Sequence, residues 1–270
     1  MNIGIYLKKI MWSRKYLIAF LCIMIVCFMP LGREIIQDYG FDGYIAAIEA
    51  PEVTLLYSTL TISLHTMFLV AAPLMACFAC SQGYAEDYEA NMTACIATRD
   101  EKKRYHKSHL LASMISGFLL VALPLVISFG VSLIAYPLNN GLDSTFKTNA
   151  YSLTPYFKGL MGYWYTFAPN FYFFFHVILI GLATGLLCGI SYSISLFTYF
   201  NKYISVLITF AFYLFNSFYM AQVCPDYAYI NVIDLRYEKT GFMPMIIVFI
   251  VTMFILCVLK KVGTIYDEQG

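Results

Sequence analysis

Charge is what this sequence has least of. Only 12% of its 270 residues are Asp, Glu, Lys or Arg, while 60% are hydrophobic and the mean hydropathy is +0.70. A soluble globular domain carries about twice that charged share, so a water-facing surface cannot be built from this composition. The 17 basic and 16 acidic residues nearly cancel, which excludes the strongly basic kind of nucleic-acid-binding protein. Catalytic signatures are missing too: there is no His-Glu-x-x-His, no Gly-x-Ser-x-Gly, and no carboxylate pair inside an apolar run. The expectation is a membrane protein that is not an enzyme.

Six stretches hold no Asp, Glu, Lys or Arg at all: Tyr16–Leu31, Val53–Cys80, Leu110–Leu138, Phe171–Phe200, Tyr203–Val223 and Phe242–Leu259. Crossing the hydrocarbon core takes roughly 20 residues. The first stretch is short, and Trp12 with the stems of Arg14 and Lys15 extends it. The second to fourth are long enough to tilt or kink, with Pro73, Pro124 and Gly130 as kink sites. Lipid demands internally satisfied backbones, and the alternation of a barrel strand is absent. The fold class expected is therefore all-α: one polytopic transmembrane domain spanning residues 1–270. The basic start before Tyr16–Leu31 also resembles a signal peptide, but the run ends Met29-Pro30-Leu31-Gly32 without a small-x-small site, so it reads as an uncleaved first helix.

Basic residues set the orientation. Twelve of them fall on one side, including Lys8, Lys9, Arg14, Lys15, the cluster Arg99–Lys107, Lys202, Lys260 and Lys261, against five on the other. The positive-inside rule places both termini in the cytoplasm of a cell-membrane protein. Aromatics make up 18% of the chain, and Tyr163–Tyr165 with Phe171–Phe175 form an aromatic band at the outer interface. Thr154-Pro155 caps a helix expected to lie on the outer surface, and the last outer loop, Cys224–Gly241, is polar.

Charge-free spans also limit how transport could be powered. Ion-coupled carriers bury ionisable side chains along their path, and none occurs here. With no Gly-x-x-x-x-Gly-Lys-Ser/Thr phosphate loop in the chain, energy for uphill transport would have to come from a separate ATPase. His65 and His176 are the imidazoles inside spans, where interhelical hydrogen bonding is the ordinary role. The eight cysteines make no disulfide framework. Cys77-x-x-Cys80 looks like a metal or redox motif, but no second pair completes it, so it reads as packing.

Two local patterns stand out. In the fourth span, Gly181, Gly185 and Gly189 recur every fourth residue, followed by Ser191, Ser193 and Ser195. Small residues at that spacing let another helix approach closely, and serines can hydrogen-bond across the gap. The partner is a helix of the same chain or a second copy, and a conduit between two subunits is the third reading. Between the second and third spans, Tyr84, Tyr88, Met92, Cys95 and Ile96 fall on one helical stripe, with Glu86, Asp87 and Glu89 elsewhere. Asp100 is a candidate N-cap for the next helix.

This loop resembles the cytoplasmic coupling helix of type-2 ABC transporter permeases. The matching residues are Glu89, Asn91, Thr93, Cys95, Ile96, Arg99 and Lys102–Arg104; many relatives have Gly-Thr and Pro-x-Ser-Arg where this chain has Asn91-Met92-Thr93 and Ala97-Thr98-Arg99. The resemblance implies six spans, an interfacial elbow helix at residues 2–12, and a coupling helix whose Tyr84, Tyr88, Glu89, Asn91, Met92, Thr93, Ile96 and Arg99 meet a cytoplasmic ABC ATPase. It implies a second permease copy or homologue as partner, no cofactor bound by this chain, and ATP with Mg held by the partner subunit. Its cargo would be amphiphilic or hydrophobic (a peptide, drug or lipid), with self-protection against an antimicrobial peptide as one version. A channel or sensory partner module that does not use ATP is the alternative.

Overall fold

The computed structural model describes residues 3–38, 61–90, 102–135, 169–197, 201–234 and 241–269. The described residues are overwhelmingly helical, and no strand occurs among them. The order is α1 (Ile3–Met11), α2 (Arg14–Asp38), α3 (Thr61–Cys80), α4 (Gly83–Glu89), α5 (Lys102–Ala135) and α6 (Pro169–Ser195). Then come α7 (Lys202–Leu214), a π turn (Phe215–Tyr219), α8 (Met220–Val223), α9 (Tyr229–Ile233) and α10 (Phe242–Gln269).

Five of these runs are long and apolar enough to cross a bilayer: Met67–Glu89, Arg104–Val131, Phe173–Ser195, Tyr203–Val223 and Phe242–Ile265. A sixth is reached only by counting α1 and α2 together, and these meet at a 63° bend. The chain is a multi-pass helical membrane protein. Helix ends do not coincide with the charge-free stretches: α6 stops at Ser195, short of Phe200, while two others overrun. Helix α5 begins at Lys102 rather than Leu110, and α10 runs on to Gln269 rather than stopping at Leu259. Backbone hydrogen bonding carries a helix past the apolar boundary, because water satisfies the side chains there. Helices α3 and α5 run through Pro73 and Pro124. The outer surface helix expected after Thr154-Pro155 lies outside the described residues.

The packing centre is α6 against α5, with α2, α3 and α10 around them. An added Cβ at Gly185 would stand 2.8 Å from the Met114 carbonyl oxygen, and one at Gly181 would stand 2.6 Å from the Phe118 ring. The fit is reciprocal, since a Cβ added at Gly117 on α5 would stand 2.5 Å from the Cys188 Sγ and 3.6 Å from the Gly185 Cα. Gly189 is filled from both sides by Met114 and by Leu256 of α10. The glycine ladder is thus a seam inside this chain, occupied by α5 and α10. Of its serines, Ser191 bonds across to Ser81 at 2.8 Å, whereas Ser193 and Ser195 donate to carbonyls of their own helix.

Candidate functional site

The densest polar cluster gathers where α1, α2, α4, α5 and α6 meet. Helix α3 continues, after a break at Ser81-Gln82, into the seven residues of α4. Two successive acids there point in different directions. Asp87 turns inward, its side chain only 4% exposed, and pairs with Lys9 of α1. It also accepts a hydrogen bond from the Tyr105 hydroxyl of α5 at 2.9 Å. Glu86 turns outward and accepts from Lys15 of α2 at 2.5 Å. Lys15 also donates to the Gln82 side-chain oxygen at 2.7 Å. A buried carboxylate is tolerated only when paired and hydrogen-bonded, and Asp87 has both. Together the two acids hold both limbs of the α1–α2 bend.

Aromatic rings form the bed beneath. Tyr84 is buried, with ring centres 5.5 Å from His106, 6.5 Å from Tyr105 and 6.4 Å from Tyr192. His109 lies parallel to Tyr192 at 5.2 Å and 5.0 Å from Tyr6 of α1. The His106 Nδ1 is 3.3 Å from the Tyr192 hydroxyl. Gly83 lets α4 settle on this bed, because a Cβ there would stand 2.6 Å from the His109 Nε2. Ser113 of α5 donates to the Cys80 carbonyl at 2.9 Å, closing the junction.

The residues singled out in the sequence are therefore divided. Tyr84, Tyr88 and Glu89 sit on α4, while Asn91, Met92, Thr93, Cys95, Ile96, Arg99 and Asp100 lie outside the described residues. The apolar stripe is not one exposed face: Tyr84 is 2% exposed and Tyr88 is 48% exposed. The described helix ends at Glu89, and Tyr84 is spent on the aromatic bed. The acidic flank is likewise not a uniformly solvated face, since Asp87 is part of the interior. Cys77, Cys80 and Cys188 are buried free thiols, and the described residues hold no cluster of three metal-ligating groups. His176 is buried on α6, and the His65 side chain is outside what is described.

Sequence reasoning counts Lys9 and Lys15 only among the cytoplasmic cations, with the Lys15 stem extending the first span, and gives no role to Tyr6, Tyr105, His106, His109 or Tyr192. The lysine pairings span 78 and 71 residues, so no local spacing announces them. One signal was available: Tyr105 and His109 fall on successive turns at the start of α5, with His106 beside Tyr105, putting aromatic rings into a run of basic residues. Compared with known proteins, this chain matches no protein family, no curated protein and no solved structure.

Proposed function

We propose that this chain is the membrane-spanning permease subunit of an ATP-driven ABC transporter, exporting an amphiphilic or hydrophobic cargo. The supporting observation is the way α4 is tied. Its short body is bonded to α1 through Asp87, to α2 through Glu86 and to α5 through Tyr105, and its foot is bonded to α6 through Ser81. A push on α4 therefore reaches four helices at once, while Tyr88 and Glu89 remain exposed for a partner. Long helices respond to such a push by rocking as rigid bodies. In this reading both termini and α4 are cytoplasmic, α1 is an interfacial elbow helix, and two such subunits pair above two ATPases that hold ATP and Mg. Charge-free apolar stretches suit a cargo that is itself amphiphilic, such as a peptide, drug or lipid.

The experiment is affinity isolation of the full chain from its native membrane, comparing wild type with Tyr88→Ala. An ABC-type ATPase should co-purify with the wild type and be lost, or hydrolyse ATP uncoupled from transport, with the variant. Losing an aromatic anchor at such an interface typically costs about 2 kcal/mol or more. Recovery of the intact chain without any ATPase would sink the reading in favour of the channel or sensory module.

A further inference from the structure

The other end of the bundle carries a feature the transport reading does not use. From Tyr203 to Val223 the chain makes one membrane-length run, yet Phe215–Tyr219 within it is wound as a π turn. Such turns are rare, hold one residue more than an α turn, and cluster at functional positions. The segment Phe-Asn-Ser-Phe-Tyr contains no Pro or Gly that would force the distortion. It does make a contact with a distant segment.

That contact is made by Asn216. Its side-chain oxygen accepts the backbone N–H of Tyr229 at 2.8 Å. Tyr229 opens α9, whose own preceding residue, Ala228, supplies no side-chain cap. The first N–H groups of a helix have no intrahelical acceptor, so Asn216 caps α9 from 13 residues away. Tyr229 is buried, and its hydroxyl donates to the Ala183 carbonyl of α6 at 3.2 Å. Its ring meets Tyr213 edge-on at 5.6 Å, and the Tyr213 hydroxyl donates to the Leu69 carbonyl of α3 at 2.8 Å. Segment Cys224–Asp234 is thereby folded back as a cap on the bundle, anchored by Tyr229, Val232 and Ile233.

We propose that Phe215–Tyr219 is a two-state register switch, held in the π form by the Asn216–Tyr229 hydrogen bond and returning to regular α-helix when the cap lets go. Returning the extra residue to the helix turns everything beyond it by about 100° and shifts it by about 1.5 Å. Met220–Val223 would then present a new face, and the cap would lose its N-terminal tie. The coupling runs both ways: whatever rotates the end of this span loosens the cap, and whatever displaces the cap rewinds the turn. The inference stands on Asn216 and Tyr229 alone, whatever powers the protein.

Hydrogen–deuterium exchange on the full chain in lipid nanodiscs tests it, comparing wild type, Asn216→Ala and Asn216→Asp. In Asn216→Ala the amides of Tyr229–Ile233 should exchange at least tenfold faster, while those of Phe218–Val223 slow as regular helix replaces the wide turn. Asn216→Asp keeps an acceptor and should retain the wild-type pattern. If Asn216→Ala does not accumulate, Asn216→Thr, whose hydroxyl is too short to reach Tyr229, carries the same expectation. Faster exchange in both segments together would mean simple destabilisation and would overturn the switch. So would unchanged exchange in the variant that removes the acceptor, or an Asp variant that behaves like it.

Discussion

Helices α6 and α10 are of nearly equal length, and the membrane-crossing stretch of α10 is the more apolar, yet their fates are opposite. The Phe173–Ser195 span of α6 is 78% buried within the chain, whereas the Phe242–Ile265 span of α10 is 17% buried. In water the more apolar helix would be the one inside. In lipid there is no hydrophobic gain from leaving tails for side chains, so packing shape decides. Helix α6 brings Gly181, Gly185 and Gly189 to an interlocking surface, with Gly117 answering from α5. Helix α10 presents Ile246, Ile250, Phe254 and Val258 outward from the chain, an apolar surface that acyl chains can cover. The lesson is that small residues, not hydropathy, mark the interior of this bundle.

The difference is broken most severely at Gly185. Gly185→Leu drives a side chain at the Met114 carbonyl, which is backbone and cannot swing away. Overpacking costs typically about 1–3 kcal/mol and more when backbone must move. The variant should lose at least half its monodisperse yield and unfold earlier in detergent; wild-type behaviour on both counts would mean the α5–α6 seam is not close-packed. Next comes Asp87→Ala, which removes the inward acid from Lys9 and Tyr105. Lys9 is 47% exposed and can turn to water, so the loss should be about 2 kcal/mol rather than the full cost of a stranded buried charge. A denaturant titration showing no change would detach the junction from the stability of the fold.

Milder effects sharpen the contrast. Gly181→Ala meets only the Phe118 ring, which can rotate, so it should cost about 1 kcal/mol. Glu86→Gln breaks an ion pair whose partners are both at least a third exposed, and should cost about 0–1 kcal/mol, fading with salt. Ile250→Ala, on the outward face of α10, should be the smallest change of all, within about 0.5 kcal/mol. If Ile250→Ala destabilised as much as Gly181→Ala, the face would be packed against protein rather than lipid, and the comparison of the two helices would fail.

How much of this was legible in the sequence follows from range. The membrane class and the helical runs are properties of twenty-residue windows, and the described residues bear them out. The close approach at Gly185 was legible as well, because four-residue spacing is local, but its partner was not. Nothing in the sequence distinguishes Met114 of the same chain from a neighbour's helix. The inward turn of Asp87 was hidden, because Glu86, Asp87 and Glu89 look alike until Lys9 arrives from 78 residues away. The π turn was hidden more thoroughly. Phe215–Tyr219 fits an ordinary apolar helix in every local respect, and the N–H of Tyr229 that Asn216 accepts lies 13 residues away.

The bend between α1 and α2 has a consequence in time. Both of its limbs are held by α4, Lys9 through Asp87 and Lys15 through Glu86, over separations of 78 and 71 residues. At about 5–20 residues per second of synthesis, the acids emerge about 4–16 s after the lysines they will hold. Through that interval the first helix has no acidic partner from α4, and its cations must be held by water or lipid headgroups. The ties between the amino terminus and the bundle at α4 are therefore a late event in the life of the chain, made when Gly83–Glu89 reaches it.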